Sequence, residues 1–296
     1  MIKLENIRFA YKNKPILVDI TQEFHAGEII GLVAPNGTGK STLLNVLMNY
    51  NKPQKGQLII DGTDTYKTAK DQINLYKKIS MMPDQQDLYE SKTGMEHLSM
   101  YKAIWHSTID IKRLVIELHM THYVNDNVSS YSLGMRQRLC FAMQIVTDTK
   151  IMLMDEVMNG LDPTNVTLIS MMMSKKRDEG KLIFIASHLL DNLESYADRI
   201  FFLINGQLEL FYDKSSPHQN GEKFLKINVT DSSFLPDSLL SRGILLSEDR
   251  LIIPLEKEEE HTIFNDIPVE KMQTISVSRL TLKEAYEIKF GLNKKN

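Results

Sequence analysis

The sequence predicts an α/β chain built on a largely parallel sheet, and three features predict it. Short apolar runs alternate with helical stretches. A glycine-rich turn, Ala34-Pro35-Asn36-Gly37-Thr38-Gly39, joins one such run to a helix. A second run, Ile151-Met152-Leu153-Met154, ends in the adjacent carboxylates Asp155 and Glu156. A strand covered on both faces reads as a continuous apolar run, and strands alternating with helices pair in parallel because each helix returns the chain over the sheet.

Residues 2–24 read as two β-rich segments around a turn at Lys12-Asn13-Lys14. Glu28 to Val33 is a short buried strand, followed by the glycine-rich turn and a helix from Lys40 to about Asn51. Gln57–Asp61 and Ile79–Met82 read as further strands. Residues 93–125 are helical, and Ser132–Asp148 is an amphipathic helix with Leu139, Met143 and Val146 on one face. After the 151–154 strand, Val166–Glu179 is a helix ended by Gly180. Leu182–Ala186 is another buried strand, with a helix from about Leu190. Arg199–Leu210 is a hairpin turning at Asn205-Gly206. The helical insert at 93–148 interrupts the alternation and predicts a separate lobe. Ser215-Ser216-Pro217-His218-Gln219-Asn220-Gly221 reads as a linker. Beyond it, 224–229, 243–246, 251–255 and 274–277 are strand-like, and the charged run Glu256–Glu260 reads as a solvated helix face.

Composition narrows the function classes. The 296 residues are 42% apolar and 25% charged, with a formal net charge of -3. That balance suits a globular chain and gives no basic footprint for nucleic acid, so no nucleic-acid partner is expected. The single cysteine, Cys140, excludes an internal disulfide framework, suits a reducing cytoplasm and reads as a small buried hydrophobe. The N-terminus is not read as a signal peptide, and no window approaches the roughly 20 apolar residues that span a bilayer. The Met81-Met82 and Met171-Met172-Met173 runs read as core filling.

Two motifs carry chemistry. The turn with Lys40-Ser41-Thr42 fits the phosphate-binding pattern of a glycine-rich loop between strand and helix, with Ala34 where the pattern has its first glycine. Glycines at 37 and 39 permit backbone angles that turn successive N–H groups inward, making an anion nest at a helix N-terminus. Lys40 is placed to reach the outer phosphates and Ser41 to put its hydroxyl on Mg²⁺. Asp155 and Glu156 end a strand that needs no charge of its own, about 115 residues after Lys40. There Asp155 suits Mg²⁺, and Glu156 suits orienting or deprotonating an attacking water. A guanine-recognition element is absent: Asn51-Lys52-Pro53-Gln54 fails at its last position.

Four further segments resemble those of ABC ATPases, in the expected order over residues 1–212. Tyr131-Ser132-Leu133-Gly134-Met135-Arg136-Gln137-Arg138 is similar to the family's signature; Ser132 and Gly134 match, whereas Tyr131, Leu133 and Met135 depart. Asn159-Gly160-Leu161-Asp162-Pro163 resembles the D-loop. His188, in Ala186-Ser187-His188-Leu189-Leu190, matches the switch histidine. Tyr11 takes the place of the aromatic that stacks on adenine, with Phe9 as the alternative. One segment departs: in Pro83-Asp84-Gln85-Gln86, Asp84 takes the Q-loop glutamine's position, with Gln85 beside it.

The resemblance implies a P-loop ABC ATPase domain over 1–212. It has a parallel-sheet core, an antiparallel β subdomain and a helical subdomain at about 85–148. A linker at 213–222 and a small α+β extension at 223–296 follow. ATP is implied to bind Tyr11, residues 34–42 (Ala34, Pro35, Asn36, Gly37, Thr38, Gly39, Lys40, Ser41, Thr42), Asp84 and Gln85. Mg²⁺ is implied at Ser41, Asp155 and Asp84, and catalysis at Glu156, His188 and Lys40. Ser132, Leu133, Gly134, Met135 and Asp162 are implied to serve the ATP of a second ATPase subunit, in a homodimer or sister heterodimer. The chain is then expected on the inner face of the cell membrane, powering a separate transmembrane permease of an exporter of drugs, antimicrobial peptides or lipids. The alternatives are an ABC ATPase acting on the ribosome or DNA, and an ATP-binding regulatory subunit with weak hydrolysis.

Overall fold

The computed structural model describes residues 1–64, 68–188, 190, 193–216, 222–246, 249–256, 259, 263 and 267–291. The chain divides into two compact units, Met1–Lys214 and Ser215–Asn296. The first opens with β1 (Ile2–Tyr11) and β2 (Lys14–Phe24), whose alternating burial marks strands covered on one face. They pair antiparallel, and β4 (Lys55–Ile60) and β5 (Thr63–Asp64) extend the sheet in the order β2-β1-β4-β5.

The second sheet holds the fully buried strands β3 (Ile29–Val33) and β8 (Leu182–Ser187) at its centre. Its order is β10-β9-β3-β8-β7-β6. β6 (Ile79–Met81), β7 (Ile151–Asp155), β8, β3 and β9 (Arg199–Ile204) run parallel, and β10 (Gln207–Asp213) closes the edge antiparallel through the Asn205-Gly206 turn. Asn205 and Gly206 both take positive φ, as a two-residue hairpin turn requires. Phe24 ties the two sheets together. It is fully buried, with its ring edge-on to Phe184 at 4.8 Å and to Phe201 at 5.8 Å.

Helix α1 (Lys40–Leu47) leaves the glycine-rich turn. Two elements between β4 and β6 escape the sequence reading: β5 and helix α2 (Ala69–Tyr76). Among α2's residues only Leu75 is buried, so the helix carries no apolar stripe to betray it. The expected helical lobe holds α3 (Gly94–Ile104), α4 (Ile111–Glu117) and α5 (Leu133–Val146). Thr93, Asp110 and Ser132 cap them, each side chain accepting from amides of the first turn. Helix α6 (Pro163–Asp178) starts three residues earlier than the apolar pattern suggested, because Asp162 caps it and Pro163 takes the first position. The helix expected from Leu190 is described only as α7 (Leu193–Tyr196). It stops where Asp198 turns its carboxylate onto the Ile29 amide at 2.8 Å. Leu189, Asp191 and Asn192 lie outside the described residues.

In the second unit, an antiparallel sheet of order β12-β13-β11-β14 is formed by β11 (Lys223–Asn228), β12 (Ile244–Leu245), β13 (Arg250–Leu255) and β14 (Ile275–Ser278), with helix α8 (Asp237–Leu240) between β11 and β12 in the chain. Leu225, Ile227, Ile253 and Leu255 face one apolar cluster, and Phe224 and Ile252 another, which Ile288 of helix α9 (Leu282–Phe290) joins. Lys226 is buried beneath α9 and donates to Glu284 Oε2 and to the Arg279 carbonyl, each at 2.6 Å. Pro217–Gly221 of the expected linker, and most of the 256–260 run, lie outside the described residues.

Removing the Phe24 ring should leave a cavity between the sheets. Phe24→Ala is expected to cost about 3–5 kcal/mol, read as a lower urea midpoint at unchanged slope; a shift below about 1 kcal/mol would mean that Phe24 does not join the sheets.

Candidate active site

The C-terminal ends of β3, β7 and β8 meet at one edge, where open α/β sheets bind ligands. β3 delivers the chain into the turn at Ala34. Gly37 has φ +78° and Gly39 φ +117°, both in the left-handed region. A Cβ on Gly39 would lie 2.7 Å from Ile16 Cγ2, so both conformation and space require glycine there. Ala34 takes no positive φ and is buried, which is why alanine is accommodated at this position. Thr38 Oγ1 closes the turn on the Pro35 carbonyl at 2.7 Å.

Lys40, 5% exposed, folds its ammonium back onto the turn, donating to the carbonyls of Ala34 at 2.6 Å and Pro35 at 3.2 Å. Burial pushes its pKa below the ordinary lysine value, against the pull of Glu156 and Asp155. Ser41 Oγ donates to Asp155 Oδ2 at 2.6 Å, joining the first turn of α1 to the end of β7. Burial raises the Asp155 pKa. The Ser41 bond and Lys40 oppose that rise, while the charges of Glu156 and Asp84 add to it. Glu156 follows with φ +53°, its Oε1 2.8 Å from His188 Nδ1 at the end of β8. Its Oε2 is buried with no hydrogen-bond partner among the described residues.

These groups line one open cleft of about 470 Å³. It brings together Tyr11, Asn36, Gly37, Gly39, Lys40, Ser41, Thr42, Asp155, Glu156 and His188, with Ile16 and Asn159. Tyr11 is half exposed, edge-on to Phe9 at 4.9 Å, and its hydroxyl accepts from Asn51 Nδ2 at 2.9 Å. A phosphate chain fits the nest and lysine, and a flat ring fits against Tyr11.

The family model described as ABC transporter matches residues 17–159. The SkfA peptide export ATP-binding protein SkfE of Bacillus subtilis (strain 168) is 30% identical over 213 residues, spanning 70% of this chain and 87% of that protein. The chain belongs to the ABC transporter ATP-binding proteins. The uncharacterized ABC transporter ATP-binding protein YhcH of the same organism is 28% identical over 287 residues, 95% of this chain and 92% of that one. That match runs through the second unit as well. A dimeric ATP-binding cassette solved in a post-hydrolysis state with ADP and Pi has the same fold, with a TM-score of 0.61 at 23% identity over 71% of this chain and 97% of its own.

In this ABC ATPase the residues of the signature segment do not line the cleft. Ser132 Oγ accepts from the Met135 amide at 3.3 Å, while Leu133 is 61% exposed and packs on Gly160, where a Cβ would lie 2.5 Å from Leu133 Cδ2. Tyr131 is buried because its hydroxyl donates to the Tyr123 carbonyl at 2.8 Å and accepts from the Gly94 amide at 3.2 Å, anchoring the signature to the helical lobe. Asp162 caps α6. Asp84 and Gln85 do not line the cleft. The Asp84 carboxylate accepts from the Gln86 amide at 2.9 Å, and Gln85 donates to Gln137 Oε1. Gln137 was legible in the sequence only as part of the signature segment, with no task of its own; it lies off the Leu139, Met143 and Val146 face, and its burial is visible only in the structure.

The raised Asp155 pKa has a definite sign. The folded state takes up this proton more readily than the unfolded chain, so the group contributes most stability below its ordinary 3.8 and loses it as pH rises through the folded value. Asp155→Asn should therefore raise the melting temperature of the nucleotide-free protein at pH 7, with the gain shrinking towards pH 4. A lower melting temperature at pH 7 would contradict burial as the dominant cause.

Proposed function

We propose that the cleft binds Mg·ATP and hydrolyses it, and that the chain powers a separate transmembrane permease. The observation that carries this is the convergence, at one sheet edge, of the Lys40 turn, the Ser41–Asp155 pair and the Glu156–His188 pair. Lys40 exchanges the Ala34 and Pro35 carbonyls for phosphate oxygens, and the turn's amides hold the rest of the chain. The oxygens of Ser41 and Asp155, already 2.6 Å apart, fit a hard cation that prefers oxygen donors. Mg²⁺ held there would neutralise charge on the phosphates. Glu156 takes a proton from water as the water oxygen bonds to the γ-phosphorus and the bond to the ADP oxygen breaks. His188 holds the Glu156 carboxylate in place.

The signature face, with Ser132, Leu133, Gly134, Met135 and Asp162, serves the nucleotide of a second ATPase subunit. The N-terminal end of α5 and its exposed position support that reading. Among the described residues no helix is long and apolar enough to cross a membrane, and the transport path is assigned to a separate permease. Its cytoplasmic face is where this subunit docks. Export of a peptide-like cargo is favoured by the likeness to a peptide export protein.

Glu156→Gln is expected to bind ATP with near-normal affinity while kcat falls roughly a hundredfold or more; near-normal turnover would remove Glu156 from the chemistry. Lys40→Ala should abolish tight binding of a fluorescent ATP analogue, and retained affinity would count against the phosphate nest. Purification of the tagged chain from mildly solubilised membranes should recover a multi-span membrane protein in stoichiometric amount. Recovery with ribosomal or DNA-bound proteins would overturn the transport reading and leave the ATPase chemistry standing.

A further inference from the structure

Glu156 takes the left-handed backbone conformation, with φ +53°, which is uncommon for a residue with a Cβ, and several bonds hold it there. They come from three sides. Its amide donates to the Ala186 carbonyl at 2.9 Å, and its carboxylate meets His188 at 2.8 Å. Its carbonyl accepts from Gln137 Nε2 at 3.0 Å, and the same nitrogen reaches the Val157 carbonyl at 2.9 Å. Gln137 lies in α5 and is 4% exposed. Its other end accepts from Gln85 Nε2. The amide thus has a direction, oxygen towards Gln85 and nitrogen towards the Glu156 turn, and neither glutamate nor an apolar residue reproduces it.

The neighbouring residue makes a second tie to the same segment. Arg136 forks onto Glu90, Nη1 to Oε1 at 2.6 Å and Nη2 to Oε2 at 2.9 Å. The start of α5 therefore grips residues 85–90 on one side and the Glu156 turn on the other. Neither Gln85 nor Gln137 lines the nucleotide cleft.

We propose that Gln137 is a positioning residue for Glu156, and that it transmits displacements of the Gln85–Glu90 segment to the hydrolytic carboxylate. This rests on the ATPase reading above. The departure at Asp84 gives it a reason: with the Asp84 carboxylate committed to the Gln86 amide, the link from this segment to the reacting centre runs through Gln85 and Gln137.

The test is steady-state hydrolysis and ATP binding by the purified full-length chain, with Gln137→Met, Gln85→Met and the double variant beside the wild type. Gln137→Met should lower kcat roughly tenfold, since small misplacements of a catalytic group are costly. KM and nucleotide Kd should stay within about twofold. Gln85→Met should lower kcat by a smaller factor. The double variant should be no slower than Gln137→Met alone, because both break one chain of bonds. A purely structural amide would lower the melting temperature and leave kcat of the folded fraction unchanged. Unchanged kcat in Gln137→Met overturns the proposal, as do effects that multiply in the double variant. If Gln137→Met does not fold, Gln85→Met at its half-buried site decides, and unchanged kcat there overturns it. A wild-type chain that fails to hydrolyse ATP would instead overturn the function on which the proposal rests.

Discussion

Lys40 begins α1 with its ammonium buried and turned back onto the carbonyls of Ala34 and Pro35. A lysine so placed is costly, since burial disfavours its charge and no carboxylate among the described residues bonds it directly. The cost is tolerated because the turn cannot take another path. β3 is locked on both edges by β8 and β9, and Gly39 folds the chain sharply over Ile16. The helix must then start where it does, and Ser41 must fall beside Asp155. The cleft follows from that one reversal of direction.

The same economy extends to the acids. Asp155 and Glu156 are adjacent in sequence yet serve different neighbours. Asp155 ends β7 with its carboxylate towards Ser41. Glu156 turns into positive φ and presents its carboxylate to His188, which β8 carries in from the next strand. Without that backbone reversal, strand alternation would send the two side chains to opposite faces. Backbone strain here is what puts two charges into one site. It also makes the site sensitive to whatever holds the Glu156 carbonyl, and that is the helical lobe through Gln137.

The second unit shows a different way of using charge. Lys226 and Glu284 are both buried and bonded to each other at 2.6 Å. Such a pair adds little net stability against an apolar alternative, but removing either partner would strand a buried charge. The match to YhcH covers this unit too, so the extension is shared with a relative of the same family.

Much of this was legible in the sequence. Buried parallel strands are continuous apolar runs, so β3, β7 and β8 announced themselves, and so did the phosphate turn, whose glycines and lysine are local in sequence. Ser132 was readable as a helix cap by type and position, whereas Asp162 was read only as part of the D-loop and its capping of α6 emerged from the structure. Elements with mixed patterns were not: α2 buries only Leu75 among its residues, and β5 has two residues. The pairing of Ser41 with Asp155, of Glu156 with His188 and of Gln85 with Gln137 spans 114, 32 and 52 residues. Spacing alone does not encode such contacts, because strand order in the sheet determines which ends meet. The sequence by itself determined which groups the chain offers for phosphate chemistry, since those lie in short contiguous motifs with their own backbone demands. Only the tertiary structure decided that Gln85 turns away from the cleft to Gln137, because that choice depends on where α5 packs against the end of β7.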